Sequence, residues 1–72
     1  MERGGVTRAI FEVIEGAGER GATAHEIAVK LGWNQKRVSP RIYDLISARR
    51  VYDCGLRRRT RAGRRARVLR VT

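Results

Sequence analysis

Residues 23–46 read TAHEIAVKLGWNQKRVSPRIYDLI, and this stretch decides the fold. Thr23 and Glu26 have the S/T-x-x-E spacing of a capping box, in which each side chain satisfies the other residue's amide at a helix start. Ile27, Ala28 and Leu31 then fall on one face of that helix. Gly32 ends it, because glycine takes the left-handed conformation that closes a helix without a Cβ penalty. A second period follows at once: Val38, Ile42, Leu45 and Ile46 recur at i, i+4, i+7 and i+8, an apolar stripe about two turns long. Small Ala28, Gly32 at the turn and Val38 beyond it let two helices cross closely. The spacing therefore predicts two short helices joined by a tight turn.

The continuation, ARRVYDCGLRRRTRAGRRARVLRVT, supplies a short apolar segment from Val51 to Cys54, a basic glycine-flanked loop, and a second apolar segment from Val68 to Val71. Two strands joined by a basic loop after such a helix pair resemble the winged helix-turn-helix regulators of bacteria and their phages, of the multiple-antibiotic-resistance type. The residues carrying the resemblance are Val38, Ser39, Ile42, Leu45, Val51, the loop arginines and Val68 to Thr72. It spans residues 6–72, and it departs from the family at Arg50, where glycine is usual. The expected fold is thus mainly α with a small antiparallel sheet (α+β), a three-helix winged helix-turn-helix, with residues 1–5 as a flexible lead and 6–72 as one domain. The resemblance also implies a brief strand at Gly21–Ala22 against the wing.

Seventy-two residues accommodate one domain with a small core, which argues against a large enclosed active site. No apolar run approaches the roughly eighteen residues of a membrane span. The single cysteine, Cys54, precludes an internal disulfide and fits a reducing cytoplasm, bacterial or that of a phage-infected host. It is expected to be a small buried residue on a strand and not a redox group. Charge is more informative. Residues 1–35 hold four Lys or Arg against five Glu, and residues 36–72 hold thirteen against two Asp, so a net charge of −1 is followed by +11. A surface that excludes acids is a footprint for a polyanion. Fifteen of the seventeen basic residues are arginine, which favours bidentate contacts to phosphate or guanine.

Upstream, Val6, Ile10, Val13, Ile14 and Ala17 recur at helical spacing with Phe11 on the flank. This predicts a scaffold helix from Val6, capped by Thr7, whose outer Glu12 and Glu15 face away from any polyanion. His25 falls on a polar helix side, and with one His and one Cys in the chain a zinc site is not expected. Trp33, in the turn, is expected to be half-buried against the core, with base stacking as the other reading. Asn34 is a fitting N-cap.

The helix expected at 34–48 turns Lys36, Arg37, Pro40, Tyr43, Asp44 and Ser47 outward, with Ser39 and Arg41 on the shoulders. Pro40 removes the bond to the Lys36 carbonyl. Either the first turn is wound differently, or the helix starts at Ser39 with Pro40 first; the resemblance favours one helix with a local kink. In the wing expected at 55–67, Gly55 and Gly63 supply turn points.

No catalytic set is present: no ordered nucleophile and base, no phosphate-cradling glycine motif and no enclosed acid pair. The expectation is a non-enzymatic binding protein without cofactor or small-molecule ligand, whose partner is double-stranded DNA. Lys36 and Arg37 would reach base edges in the major groove, with Asn34 or Gln35 reading adenine. Ser39, Arg41 and Tyr43 would hold backbone beside Pro40. Arg57, Arg58, Arg59, Thr60, Arg61, Arg64 and Arg65 of the wing would meet phosphates or the minor groove. The implied role is transcriptional regulation or an accessory part in phage recombination or packaging, as a monomer or as a homodimer on a palindromic site. Two alternatives stand beside it. The run TAHEIAVKLG, with Tyr43 four residues after Ser39, also resembles Z-alpha domains, which read left-handed duplexes by shape. Those domains have Asn in place of Ser39 and a Pro-Pro-x-Trp wing that is missing here. The other alternative is an inhibitor gripping an acidic host enzyme.

Overall fold

The computed structural model describes residues 3–59 and 63–72, with side chains from residue 5. Three helices, α1 (Arg3–Ala17), α2 (Ala24–Leu31) and α3 (Gln35–Ser47), precede an antiparallel hairpin of β1 (Val51–Arg59) and β2 (Arg65–Val71). This is the expected small α+β class. A 3₁₀ turn, Gly18–Arg20, joins α1 to α2.

The core grows from the apolar stripes. Ile10 and Ile14 of α1, Ile27 and Ala28 of α2, and Val38, Ile42 and Leu45 of α3 are buried together with Val51 and Leu69 of the hairpin. Each of the buried isoleucine, leucine and valine side chains contributes about 1.5–3 kcal/mol of transfer free energy. Val6, Phe11, Val13, Ala17, Leu31 and Trp33 pack half-buried around that centre. Trp33 therefore has the packing environment expected for it.

The helix ends are set by local chemistry. At the start of α2 the Glu26 amide donates to Thr23 Oγ1 at 3.1 Å and the Thr23 amide to Glu26 Oε1 at 3.0 Å, the reciprocal capping box. At its end Gly32, at φ 72°, lets the Trp33 amide reach the Ala28 carbonyl at 2.9 Å. Asn34 caps α3, its Oδ1 accepting from the Lys36 amide at 2.8 Å. The α3 exit uses the same motif as α2: the Arg49 amide donates to the Ile46 carbonyl (2.9 Å) and the Arg50 amide to that of Leu45 (3.0 Å). Here the left-handed position is held by Arg49, at φ 59°.

Gly21 is dictated by contact. At φ +69° a Cβ there would lie 2.5 Å from Val68 Cγ1 and 2.6 Å from the Leu69 carbonyl oxygen. Its absence lets Ala22 pair with Leu69 through two amide–carbonyl bonds of 3.0 and 2.9 Å. The brief strand implied at Gly21–Ala22 is present as this single bridge.

Several boundaries differ from expectation. The first helix begins at Arg3 rather than Val6, so residues 3–5 lie in its first turn and Thr7 lies inside it instead of capping it. Glycine weakens a helix by about 1 kcal/mol without forbidding it, so Gly4 and Gly5 do not stop this one. The third helix is continuous through Pro40, which excludes a start at Ser39. Its first turn is wound more tightly: the Arg37 amide donates to the Asn34 carbonyl at 2.9 Å, three residues back. The corresponding bond of α2, from the Ile27 amide to the Thr23 carbonyl, spans four.

The largest correction concerns the wing. The strands do not stop at Cys54 or begin at Val68; they run to Arg59 and from Arg65, so eight of the thirteen residues expected in the loop 55–67 lie in strands, six of them paired. Apolar content underestimates strands here because the ladder bonds are made by backbone, and arginine stems cover the sheet while their heads reach water. Gly55, expected as a turn, sits at φ 88° inside a bulge where the register shifts between Asp53 and Arg57.

Candidate nucleic-acid interface

Two basic elements flank one groove. Gln35, Ser39, Ile42 and Tyr43 of α3 form one wall, and Arg65, Ala66, Arg67 and Leu69 of β2 the other, around 280 Å³ of open space. Helix periodicity aims Gln35, Ser39 and Tyr43 toward the groove, since Val38, Ile42 and Leu45 are drawn into the core and Ile42 forms only the groove floor. Strand alternation places Arg65 and Arg67 on the same face as buried Leu69, so the face that enters the core near the hairpin base becomes arginine further out.

The expected contact residues divide into free and engaged groups. Gln35, Lys36 and Pro40 are exposed, and Tyr43 is 59% exposed. Ser39 is half-buried on the groove wall. Arg37 lies over the Trp33 ring, 4.5 Å from its centroid, in a cation–π contact. Arg41 is paired with Asp44 at 3.1 Å. Asn34 Oδ1 is used by the cap, and reading an adenine edge with the whole carboxamide requires giving that bond up. The helix therefore leaves Gln35, Lys36, Ser39 and Pro40 without a side-chain partner among the described residues.

In the hairpin, Arg59, Arg64 and Arg65 are exposed and have no ion-pair partner among the described residues. Thr60 and Arg61, expected on phosphate, lie outside the described residues. Arg58 is a correction. Its guanidinium reaches back to α2, donating to Glu26 Oε1 at 2.5 Å and to the Arg20 carbonyl at 2.6 Å. Its side chain is only 25% exposed, so it ties the hairpin to α2 and to the turn before it instead of standing free for phosphate. Burial of the Glu26 carboxyl works to raise its pKa. The hydrogen bonds from Arg58 and the Thr23 amide, with the charges of Arg58 and Arg20, outweigh that effect and hold it below its ordinary value.

Arg57 is also engaged, donating to Asp53 Oδ1 at 3.0 Å and to the Leu56 carbonyl. Asp53 Oδ1 accepts the Gly55 amide as well, at 3.0 Å, and Arg67 Nε stands 4.0 Å from Oδ2. The Gly55 hydrogen bond, together with the pairing and charge of Arg57 and the charge of Arg67, outweighs desolvation and lowers the Asp53 pKa. Arg67 also lies 5.9 Å from the centroid of the Tyr43 ring, linking hairpin to helix. Asp53 and Arg67 are absent from the expected set. The signal for Arg67 was the alternation Arg65-Ala66-Arg67-Val68-Leu69, which puts both arginines on one face. Among the described residues no group of three or more His, Cys, Asp or Glu could hold a metal ion, and no helix is long and apolar enough to cross a membrane.

A helix pair with a tight turn, packed against an arginine hairpin, thus defines a small α+β domain whose open groove has polar and cationic side chains around an apolar floor. Over residues 5–71 the chain matches the family described as Domain of unknown function (DUF7646), and it belongs to that family. No curated protein and no solved structure matches it.

Proposed function

We propose that the chain is a sequence-specific binder of double-stranded DNA, with α3 entering the major groove and the hairpin arginines lying on the adjacent phosphates. The observation that carries this reading is the groove itself. Gln35, Ser39 and Tyr43 on the helix face Arg65 and Arg67 on the hairpin, so one approach of a duplex would engage base edges and backbone together. The likeness to winged helix-turn-helix regulators and the +11 charge of residues 36–72 support the same reading. The role it implies is non-enzymatic, in regulating transcription or as a phage accessory factor.

Selection of bound sequences from random duplex DNA tests the proposal directly. Enrichment of a defined motif, bound more tightly than random duplex, is the expected result. Recovery of an unenriched pool would reject sequence-specific binding, and capture of a host enzyme that survives nuclease treatment would favour the inhibitor reading.

A further inference from the structure

The hairpin carries an arrangement that stability alone does not favour. The bulge sets three residues of β1 (Cys54, Gly55 and Leu56) opposite Val68, and beyond it Arg57 pairs with Arg67 and Arg59 with Arg65. Two like-charged pairs therefore stand directly across the ladder, consecutive on one face. Opposed like charges destabilise a strand pair. In-register pairing continued from Val51↔Val71 without the bulge would have set Arg57 against Arg65 and Arg59 against Gly63, splitting this block. Neighbouring strands are about 4.8 Å apart and alternate residues about 6.8 Å apart, so the four arginines leave the backbone from the corners of a compact rectangle, within reach of neighbouring phosphates for bidentate contacts.

The inner pair is not left unneutralised. Asp53, on the same face, takes Arg57 at 3.0 Å and lies 4.0 Å from Arg67. The outer pair, Arg59 and Arg65, has no such partner among the described residues. We infer that these four arginines form a site for two consecutive phosphates of one strand, and that Asp53 is an internal stand-in for the inner phosphate, displaced from Arg57 and Arg67 when polyphosphate binds. This rests on the polyanion-binding reading above and adds the geometry of the site and its intramolecular competitor.

Asp53→Asn isolates the charge, because an amide oxygen still accepts the Gly55 N–H that shapes the bulge. Glu15→Gln, on exposed α1, makes the same change in net charge away from the hairpin. Inorganic tripolyphosphate is titrated into the ¹⁵N-labelled chain and followed at the arginine Nε resonances. Arg57, Arg59, Arg65 and Arg67 should respond together. Asp53→Asn should bind two- to about fivefold more tightly than the parent, the range for freeing an exposed ion pair, and Glu15→Gln should not. Equal or weaker binding by Asp53→Asn overturns the inference and leaves Asp53 with the bulge alone. A parallel titration with duplex DNA separates the two readings. If no protein binds duplex while the tripolyphosphate result holds, DNA binding falls and the phosphate site stands.

Discussion

Arg49 and Pro40 each break a local backbone rule, and each does so on α3 or at its end. The left-handed conformation costs a non-glycine residue about 1–2 kcal/mol, yet Arg49 adopts it at φ 59° where Gly32 serves the same role for α2. Arg49→Gly is expected to raise stability by about 1 kcal/mol in urea or thermal unfolding; an unchanged or lower midpoint would mean that the Arg49 side chain compensates its own strain. Pro40 has no N–H for the Lys36 carbonyl, and the tightened bond from the Arg37 amide to the Asn34 carbonyl is the adjustment seen one turn earlier. An interior proline is about 3 kcal/mol less favourable than alanine. Pro40→Ala should therefore leave the domain folded and as stable or more so. Its binding to a selected duplex should weaken while binding to random duplex holds, because the exposed ring offers an apolar edge to a thymine methyl. A lower melting temperature would instead assign Pro40 to the fold. At this scale the local rules were legible: the Thr23–Glu26 box and the Asn34 cap follow from neighbours within four residues. The family's usual glycine pointed to Arg50 as the anomaly. The left-handed residue is Arg49, one position earlier, because Ala48 stays right-handed after α3 ends at Ser47 and the chain turns only at the next residue.

The helices were readable as elements because their apolar periods repeat, and the hairpin's reach was not, because its outer paired half, Arg57–Arg59 with Arg65–Arg67, has no apolar residue larger than Ala66 to announce it. The tie between β1 and α2 was also invisible. Arg58 and Glu26 are 32 positions apart, and nothing in a run of three arginines says which one turns inward. The same pair makes stability depend on acid. Glu26 has a folded pKa below its ordinary value of 4.5. The unfolded chain therefore binds the proton more readily, and the stabilisation is complete above about pH 4.5 and lost as pH falls through the lower folded value. Asp53, whose pKa is lowered from 3.8, acts in the same direction at slightly lower pH. Arg58→Ala should cost about 1–2 kcal/mol, reduced from the value for a fully buried charged hydrogen bond because both side chains remain partly exposed. It should also flatten the loss of stability below pH 4.5. Urea unfolding of the parent, Arg58→Ala, Glu26→Gln and the double variant from pH 3 to 6 measures both. If the two single losses add in full in the double variant, the contact contributes nothing of its own.

Across the whole molecule, charge is sorted by sequence half, and the fold then uses part of it internally. Thirteen basic residues follow position 35, but Arg58 is bound to Glu26, Arg41 to Asp44 and Arg57 to Asp53, while Arg37 lies on Trp33. On α3 and the wing, Lys36, Arg59, Arg64 and Arg65 remain free among the described residues, and Arg57 and Arg67 become available if Asp53 is displaced. A duplex in the groove would then have about five or six phosphates neutralised, which predicts a slope of log K against log salt near −5. The net charge of the chain overstates this number, since charge counted along the sequence ignores which arginines the fold has already paired. The same sorting fixes a division of labour. Arg59→Ala and Arg65→Ala should weaken selected and random duplexes alike and each flatten the slope by about 1, as expected for contacts to backbone. Gln35→Ala and Lys36→Ala should instead narrow the gap between the two duplexes, by about 1–3 kcal/mol where a base contact is lost. Arg58→Ala, assigned here to the fold, should change affinity only as far as it loosens the hairpin, and its slope should stay at the parent value. Fluorescence anisotropy on both duplexes between 50 and about 300 mM salt, a range over which such contacts lose orders of magnitude in affinity, reads all three classes. A parent slope shallower than about −2 would remove the polyanion from the account, and an Arg58→Ala slope as flat as that of Arg59→Ala would return Arg58 to the interface.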